Sequence, residues 1–150
     1  ASVGCCAEIS QFQRLPDDRM KMLTLGQQRF RLLNWVREKP YRVGLVEWIE
    51  DETPDTDLRP LARDVEALLK DVVKLSAKLT DQKIELPEDI PDLPRELSFW
   101  VASNLYGVAS EQQSLLEMQD TKARLDREAE ILGSTRNHLA ARTALKEALD

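Results

Sequence analysis

The chain has 150 residues, 42% of them apolar and 32% charged, and a net charge of −6. That is room for one ordinary domain, or for a small sheet domain with a helical part attached, and for a real core. No run of about 18 apolar residues offers a membrane-spanning helix, no charged-then-apolar leader is expected, and the acidic balance disfavours broad binding to phosphate backbones, whose affinity rests on cationic contacts.

The charge is unevenly spread. Up to Glu50 there are eight Lys or Arg against six Asp or Glu, an excess of +2, so the remainder carries −8. The chain opens Ala1-Ser2-Val3-Gly4 without an initiator methionine and with little lead-in to a strand. A fragment or processed product is therefore expected, with one neighbour of the first strand missing.

Val3, Cys5, Ala7 and Ile9 alternate onto one face, the period of a strand buried on one side. Phe12 falls out of that register, and a bulge between Ile9 and Phe12 would return it to the core side. Cys5 and Cys6 are adjacent; a bridge between them would be strained and two residues cannot make a zinc site, so small buried or half-buried free thiols in a reducing compartment are expected. Leu15-Pro16-Asp17-Asp18-Arg19 is a turn in which proline presets φ and the aspartates can bond their own backbone. The stretch from Ile9 to Phe30 therefore reads as a β-hairpin, with Gly26 permitting a bend or bulge.

Residues 28–38 then predict a third strand, with a phase change at Leu33, ended by Lys39-Pro40. Tyr41 to Glu50 predicts a fourth. Strands joined by short turns form an antiparallel meander. The acidic, proline-bearing stretch from Asp51 to Pro60 reads as a solvated linker between a β-subdomain, residues 1–52, and a helical subdomain, residues 58–150.

Leu61, Val65, Leu68, Val72, Leu75 and Leu79 step by four and three, so a helix is expected from near Leu58 to Thr80. Asp81 to Pro94, with three prolines, is a loop. Leu97, Trp100, Val101, Asn104 and Leu105 mark an amphipathic helix that Gly107 ends, and Ser110 with Gln113 fits a capping box opening a short helix through Met118. Asp120 is the expected N-cap of a last helix running nearly to the end. Leu125, Leu132 and Leu139 form a seam that fades at Lys146. Gly133 is its weak point, and its far end is expected to project or to pack on a partner.

Val3-Gly4-Cys5-Cys6-Ala7-Glu8-Ile9, Leu15-Pro16-Asp17-Asp18-Arg19-Met20-Lys21, Leu25-Gly26-Gln27-Gln28-Arg29-Phe30-Arg31 and Pro40-Tyr41-Arg42-Val43 resemble, in order, the N-terminal domain of the Lon proteases. Gln112-Gln113-Ser114-Leu115-Leu116-Glu117 and Arg124-Leu125 extend the likeness over nearly the whole chain. The wording, above all the Cys-Cys pair and the run from Trp100 to Leu105, is most similar to stand-alone Lon-domain proteins of cyanobacteria and plastids. The resemblance implies an α+β fold, a partial antiparallel PUA-like sheet followed by a helical bundle with a long C-terminal helix. It also implies a substrate-binding role in ATP-dependent proteolysis and protein quality control. Unfolded or degron-bearing polypeptides and a partner ATPase or protease are the partners implied, in the cytoplasm or, alternatively, the plastid stroma.

Complete members carry a phosphate-binding Gly-x-x-x-x-Gly-Lys-Ser/Thr loop and a Ser-Lys dyad. The five glycines here, Gly4, Gly26, Gly44, Gly107 and Gly133, are not spaced to cradle phosphates. No catalytic residue, cofactor or metal site is expected. The single histidine, His138, has no converging partners and reads as a surface or helix-packing residue. Aromatics are the better binding candidates: Trp35, Tyr41 and Trp48 on the sheet, and Phe99, Trp100 and Tyr106 on one helix. Phe99 and Trp100 are neighbours, so one helix stripe cannot bury both, and one is expected exposed or between sheet and bundle. An exposed sheet edge would accept an extended peptide by strand addition. Two rivals stand beside this polypeptide-recognition reading. One is an RNA-binding PUA-like module using Arg29, Arg31, Arg37 and Arg42, disfavoured by the acidic total; the other is a homo-oligomerisation module using the last helix.

Overall fold

The structure, a computed structural model, describes residues 1–105 and 109–149. Three antiparallel strands, β1 (Val3–Arg14), β2 (Met20–Arg37) and β3 (Val43–Ile49), form one sheet in the order β1-β2-β3. Four helices follow: α1 (Arg59–Thr80), α2 (Pro94–Ser103), α3 (Ala109–Glu117) and α4 (Thr121–Leu149). The fold is α+β, and the chain divides into two compact units, Ala1–Glu50 and Asp51–Asp150.

In the first unit the expected hairpin is present. Leu15 N–H donates to the Arg19 carbonyl at 2.8 Å, Asp18 N–H to the Leu15 carbonyl at 3.1 Å, and Arg19 N–H to Asp17 Oδ1 at 3.2 Å. Asp18 takes the left-handed conformation, φ 63°, which aspartate tolerates better than most residues. The Arg19 hydrogen bonds hold the Asp17 carboxyl below the usual carboxylate range.

Four strands were expected and three are present, because β2 runs unbroken from Met20 to Arg37 through Gly26. The bulge allowed for at Gly26 is present: Cys5 pairs with Arg29 but Ala7 with Gly26, so β2 carries one residue more than β1 there. A lone glycine permits a reversal, but no proline, asparagine or aspartate beside it specifies one. The bulge expected between Ile9 and Phe12 is present, as Ile9 pairs with Thr24 and Gln11 with Leu23. The phase change at Leu33 is present too, as Leu32 pairs with Val46 and Asn34 with Leu45.

Burial of the sheet departs from expectation. Val3 and Ile49 are buried, whereas Ile9 and Phe12 are exposed and so are both cysteines. Alternation reports which residues share a face; it does not report whether anything covers that face.

In the second unit Leu58, Ala62, Val65 and Leu69 pack with Leu97, Val101, Ala102, Leu105, Leu115, Leu125 and Leu132, each fully buried leucine contributing about 2 kcal/mol. The expected α1 stripe is rotated slightly, so that Ala62 and Leu69 are buried while Leu61, Leu68 and Val72 flank the core. Asp51, expected in a solvated linker, has a buried side chain. α2 ends at Ser103, with Asn104 at its C-cap, before the glycine expected to stop it; Gly107 lies outside the described residues. Ser110 falls inside α3 rather than capping it, and Gln113 Nε2 donates to Glu117 Oε1 at 2.8 Å.

Asp120 caps α4 as expected, its Oδ1 accepting from Lys122 N–H at 2.8 Å and Ala123 N–H at 3.2 Å. Gly133 does not interrupt α4, which continues to Leu149, a length of about 43 Å. Nor does its far end project. Asp71 faces Arg136 at 4.0 Å and Asp81 faces Lys146 at 2.6 Å, so α1 and α4 advance together and lie parallel. Lys78 pairs with Glu147, and Lys146 Nζ also reaches the Leu79 carbonyl at 3.3 Å. Parallel helical neighbours need a return path, and α2, α3 and their loops supply it.

Candidate functional site

Across an antiparallel pair, opposite residues share a face. Phe30 opposes Trp48, Leu32 opposes Val46 and Trp35 opposes Gly44. The extra residue Leu33 keeps Trp35 on that face despite the odd spacing. Gly4 opposes Phe30 at the β1 edge, and a Cβ there would lie 2.8 Å from Phe30 Cζ, so the absence of a side chain lets the ring lie flat over β1. Phe30 and Trp48 make an edge-to-face pair with centroids 6.5 Å apart.

The face remains open. Trp48 is 53% exposed and Trp35 49%. Tyr41, expected on the fourth strand, precedes β3 in the turn and is 65% exposed. Arg37 lies over the Tyr41 ring at 4.7 Å and Arg42 over the Trp35 ring at 5.3 Å, each an attraction between a cation and the negative face of a ring. Toward the first hairpin, Leu23 and Leu25 continue on this face, while Phe12, opposite Met22, lies with Met20 on the other face of the sheet; all five are exposed. Exposed apolar side chains grouped on one face are a common feature of interaction surfaces.

In the helical unit the aromatic candidates are more engaged. Phe99 and Trp100 are both half-buried. The Arg124 guanidinium stacks on Phe99 at 3.9 Å, and Trp100 packs against the core. Tyr106 lies outside the described residues. His138 is exposed.

Sequence reasoning missed a buried polar cluster. Arg124, within the Arg124-Leu125 likeness, is fully buried; its Nη2 meets Asp51 Oδ2 at 2.5 Å, its Nε donates to Ser98 Oγ at 2.8 Å, and its Nη1 to the Met118 carbonyl at 2.8 Å. One turn on, Glu128 is also fully buried and neither carboxylate oxygen has a hydrogen-bond partner among the described residues. Burial pushes its carboxyl up to about 8, against a smaller opposing pull from Arg124. The available signal was positional: Arg124 and Glu128 flank Leu125 on the helix face that also carries Leu132. At the surface of the unit Arg127 grips Glu111 at 2.7 Å and Glu130 at 2.9 Å, which holds the Glu111 carboxyl below its usual range.

No group of three or more His, Cys, Asp or Glu among the described residues is placed to hold a metal, and no helix of the described residues is long and apolar enough to cross a membrane. What the sheet offers is apolar area, ring faces, guanidiniums and strand edges.

A family model described as the ATP-dependent protease La (LON) substrate-binding domain matches residues 1–134. The chain is 29% identical over 140 residues to a Lon protease of Anaeromyxobacter dehalogenans, covering 92% of this chain and 16% of that protein. It is 32% identical over 124 residues to Lon protease 1 of Hydrogenovibrio crunogenus, covering 82% of this chain and 15% of that one. The chain thus spans about a sixth of the length of these curated relatives. Its fold is similar to the crystal structure of a Lon N-terminal domain protein from Xanthomonas campestris, with a TM-score of 0.54 and 24% identity over 85% of this chain and 66% of that one.

Proposed function

The chain belongs to the family of ATP-dependent protease La (LON) substrate-binding domains, and from that premise we propose that it is a non-catalytic recognition module that holds unfolded or degron-bearing polypeptide. It serves protein quality control by delivering that polypeptide to an ATPase and protease, in the cytoplasm or the plastid stroma. Residues 1–52 do the gripping and residues 58–150 form the helical part.

The observation that supports this most is the open apolar sheet, where Trp35 on β2 and Trp48 on β3 share one face and stay half exposed. A segment lying across that face exchanges solvated apolar area for ring contacts, worth about 25 cal/mol for each Å² buried. Trp35, Tyr41 and Trp48 are the primary contacts in this reading. Phe99, Trp100 and Tyr106 are secondary, since Phe99 and Trp100 already pack within their own unit.

Isothermal titration against a panel of unfolded polypeptides tests the proposal. Binding that weakens at least about tenfold when Trp35 and Trp48 are replaced by alanine is expected, the scale of an aromatic anchor lost. No binding at high micromolar concentration would contradict it.

A further inference from the structure

The positive excess of the sheet unit is concentrated at one place. Residues 35–42 hold Arg37, Lys39 and Arg42 against Glu38 alone, and the remaining five cations and five acids of residues 1–50 balance. Three of those cations are paired within the unit, Arg14 with Asp18, Arg19 with Asp17 and Arg31 with Glu47, and Arg29 is buried. Arg37 and Arg42 are instead exposed and rest on the Tyr41 and Trp35 rings. A guanidinium stacked on a ring keeps its in-plane N–H donors turned outward, the geometry that receives a carboxylate side-on. The same tip opens onto β3, which has a strand neighbour on one side only.

We propose that the β2–β3 tip, formed by Trp35, Arg37, Tyr41 and Arg42, selects extended polypeptide segments that carry acidic side chains. The segment's backbone pairs along the open edge of β3, and its carboxylates meet the two guanidiniums. This deepens the recognition role proposed above and rests on it. A polypeptide suits the tip better than a nucleic acid does, because a phosphate backbone calls for a longer stripe of cations and Glu38 interrupts this one.

Fluorescence anisotropy with four probes tests the assignment: a short peptide alternating valine and glutamate, its glutamine counterpart, a reduced and carbamidomethylated unfolded polypeptide, and oligodeoxythymidine. The acidic peptide is expected to bind about tenfold tighter than the glutamine peptide, as charge-assisted hydrogen bonds are stronger than neutral ones. The preference should shrink with added salt and vanish in the Arg37→Gln, Arg42→Gln double variant, whose exposed substitutions leave the circular dichroism unchanged. Equal binding of the two peptides beside binding of the unfolded polypeptide would overturn the acidic selection while leaving the recognition role standing. Failure of all four probes would overturn both. A preference that survives in the double variant would remove it from this tip, and oligodeoxythymidine binding tighter than the acidic peptide would replace the proposal with nucleic-acid contact.

Discussion

Arg124 and Asp51 form an ion pair out of solvent, with Nη2 to Oδ2 at 2.5 Å and side chains 0% and 3% exposed. The sequence distance is 73 residues, and with the Thr121 hydroxyl donating to the same carboxylate at 3.0 Å the pair ties the segment that precedes α1 to the start of α4. Arg95 adds a further, longer contact to the same Asp51 oxygen at 3.6 Å. Arg124→Leu leaves Asp51 charged in a buried site and should cost about 3–5 kcal/mol of stability. Arg124→Lys should not restore it, because an ammonium cannot reproduce the fork that reaches Asp51, Ser98 and the Met118 carbonyl together. Asp51→Asn keeps the shape and should cost less, about 1–3 kcal/mol. Urea unfolding followed by far-ultraviolet circular dichroism ranks the three.

Glu128 carries the opposite kind of burial, a carboxyl with no partner. Its value in the folded chain, about 8, lies above the ordinary 4.5, so the folded state holds a proton that the unfolded chain releases. Stability should therefore fall as pH rises from about 4.5 to about 8, by at most roughly 1.4 kcal/mol per pH unit. Glu128→Gln should flatten that contribution, and Glu128→Leu should exceed the parent at pH 7.5 by about 2 kcal/mol or more, having no buried charge or orphan oxygen to accommodate. Thermal melts of all three proteins between pH 5 and 8 decide; a parent profile parallel to that of Glu128→Gln would contradict the assignment.

The parallel contact of α1 with α4 gives a third expectation. Ending the chain at Leu139 removes the buried Thr143 together with Lys146 and Glu147, and the last two are partners of Leu79, Asp81 and Lys78 at the C-terminal end of α1. The last turns of α1 should then fray, and hydrogen exchange of amides 72–80 should accelerate. A last helix that merely projected would leave those amides unchanged.

Gly4 tests the close approach at the sheet edge. Gly4→Ala places a methyl against the outer end of the Phe30 ring, which can swing aside, so the cost should be no more than about 1 kcal/mol. The displaced ring should alter its edge-to-face packing with Trp48, which a change in tryptophan fluorescence would register.

Much of the architecture was legible because departures from strict periodicity carry information. The extra residue at Leu33 and the bulge between Ile9 and Phe12 could be read from apolar residues falling out of phase. Asp120 and the Leu15–Arg19 turn could be read from side chains that bond their own backbone. The continuity of β2 could not, since Gly26 permits both a bulge and a bend and only the partner strand decides. Exposure of Phe12 and the cysteines was equally hidden, because alternation says nothing of what lies above a face. The Asp51, Arg124 and Glu128 cluster escaped for another reason: a pattern that scores apolar residues assigns buried charge to solvent. Of the aromatic candidates, Trp35, Tyr41 and Trp48 are accessible and Phe99 and Trp100 are half-buried, a division set by tertiary contacts rather than by spacing.

The recognition role is tested most directly by the indole N–H signals of the three tryptophans, Trp35, Trp48 and Trp100. In nuclear magnetic resonance spectra of the protein titrated with an unfolded polypeptide, the Trp35 and Trp48 signals should shift or broaden while that of Trp100, packed against the helical core, holds its position. Binding that moves Trp100 alone, or that moves none of the three, would contradict a polypeptide gripped by the open face of the sheet.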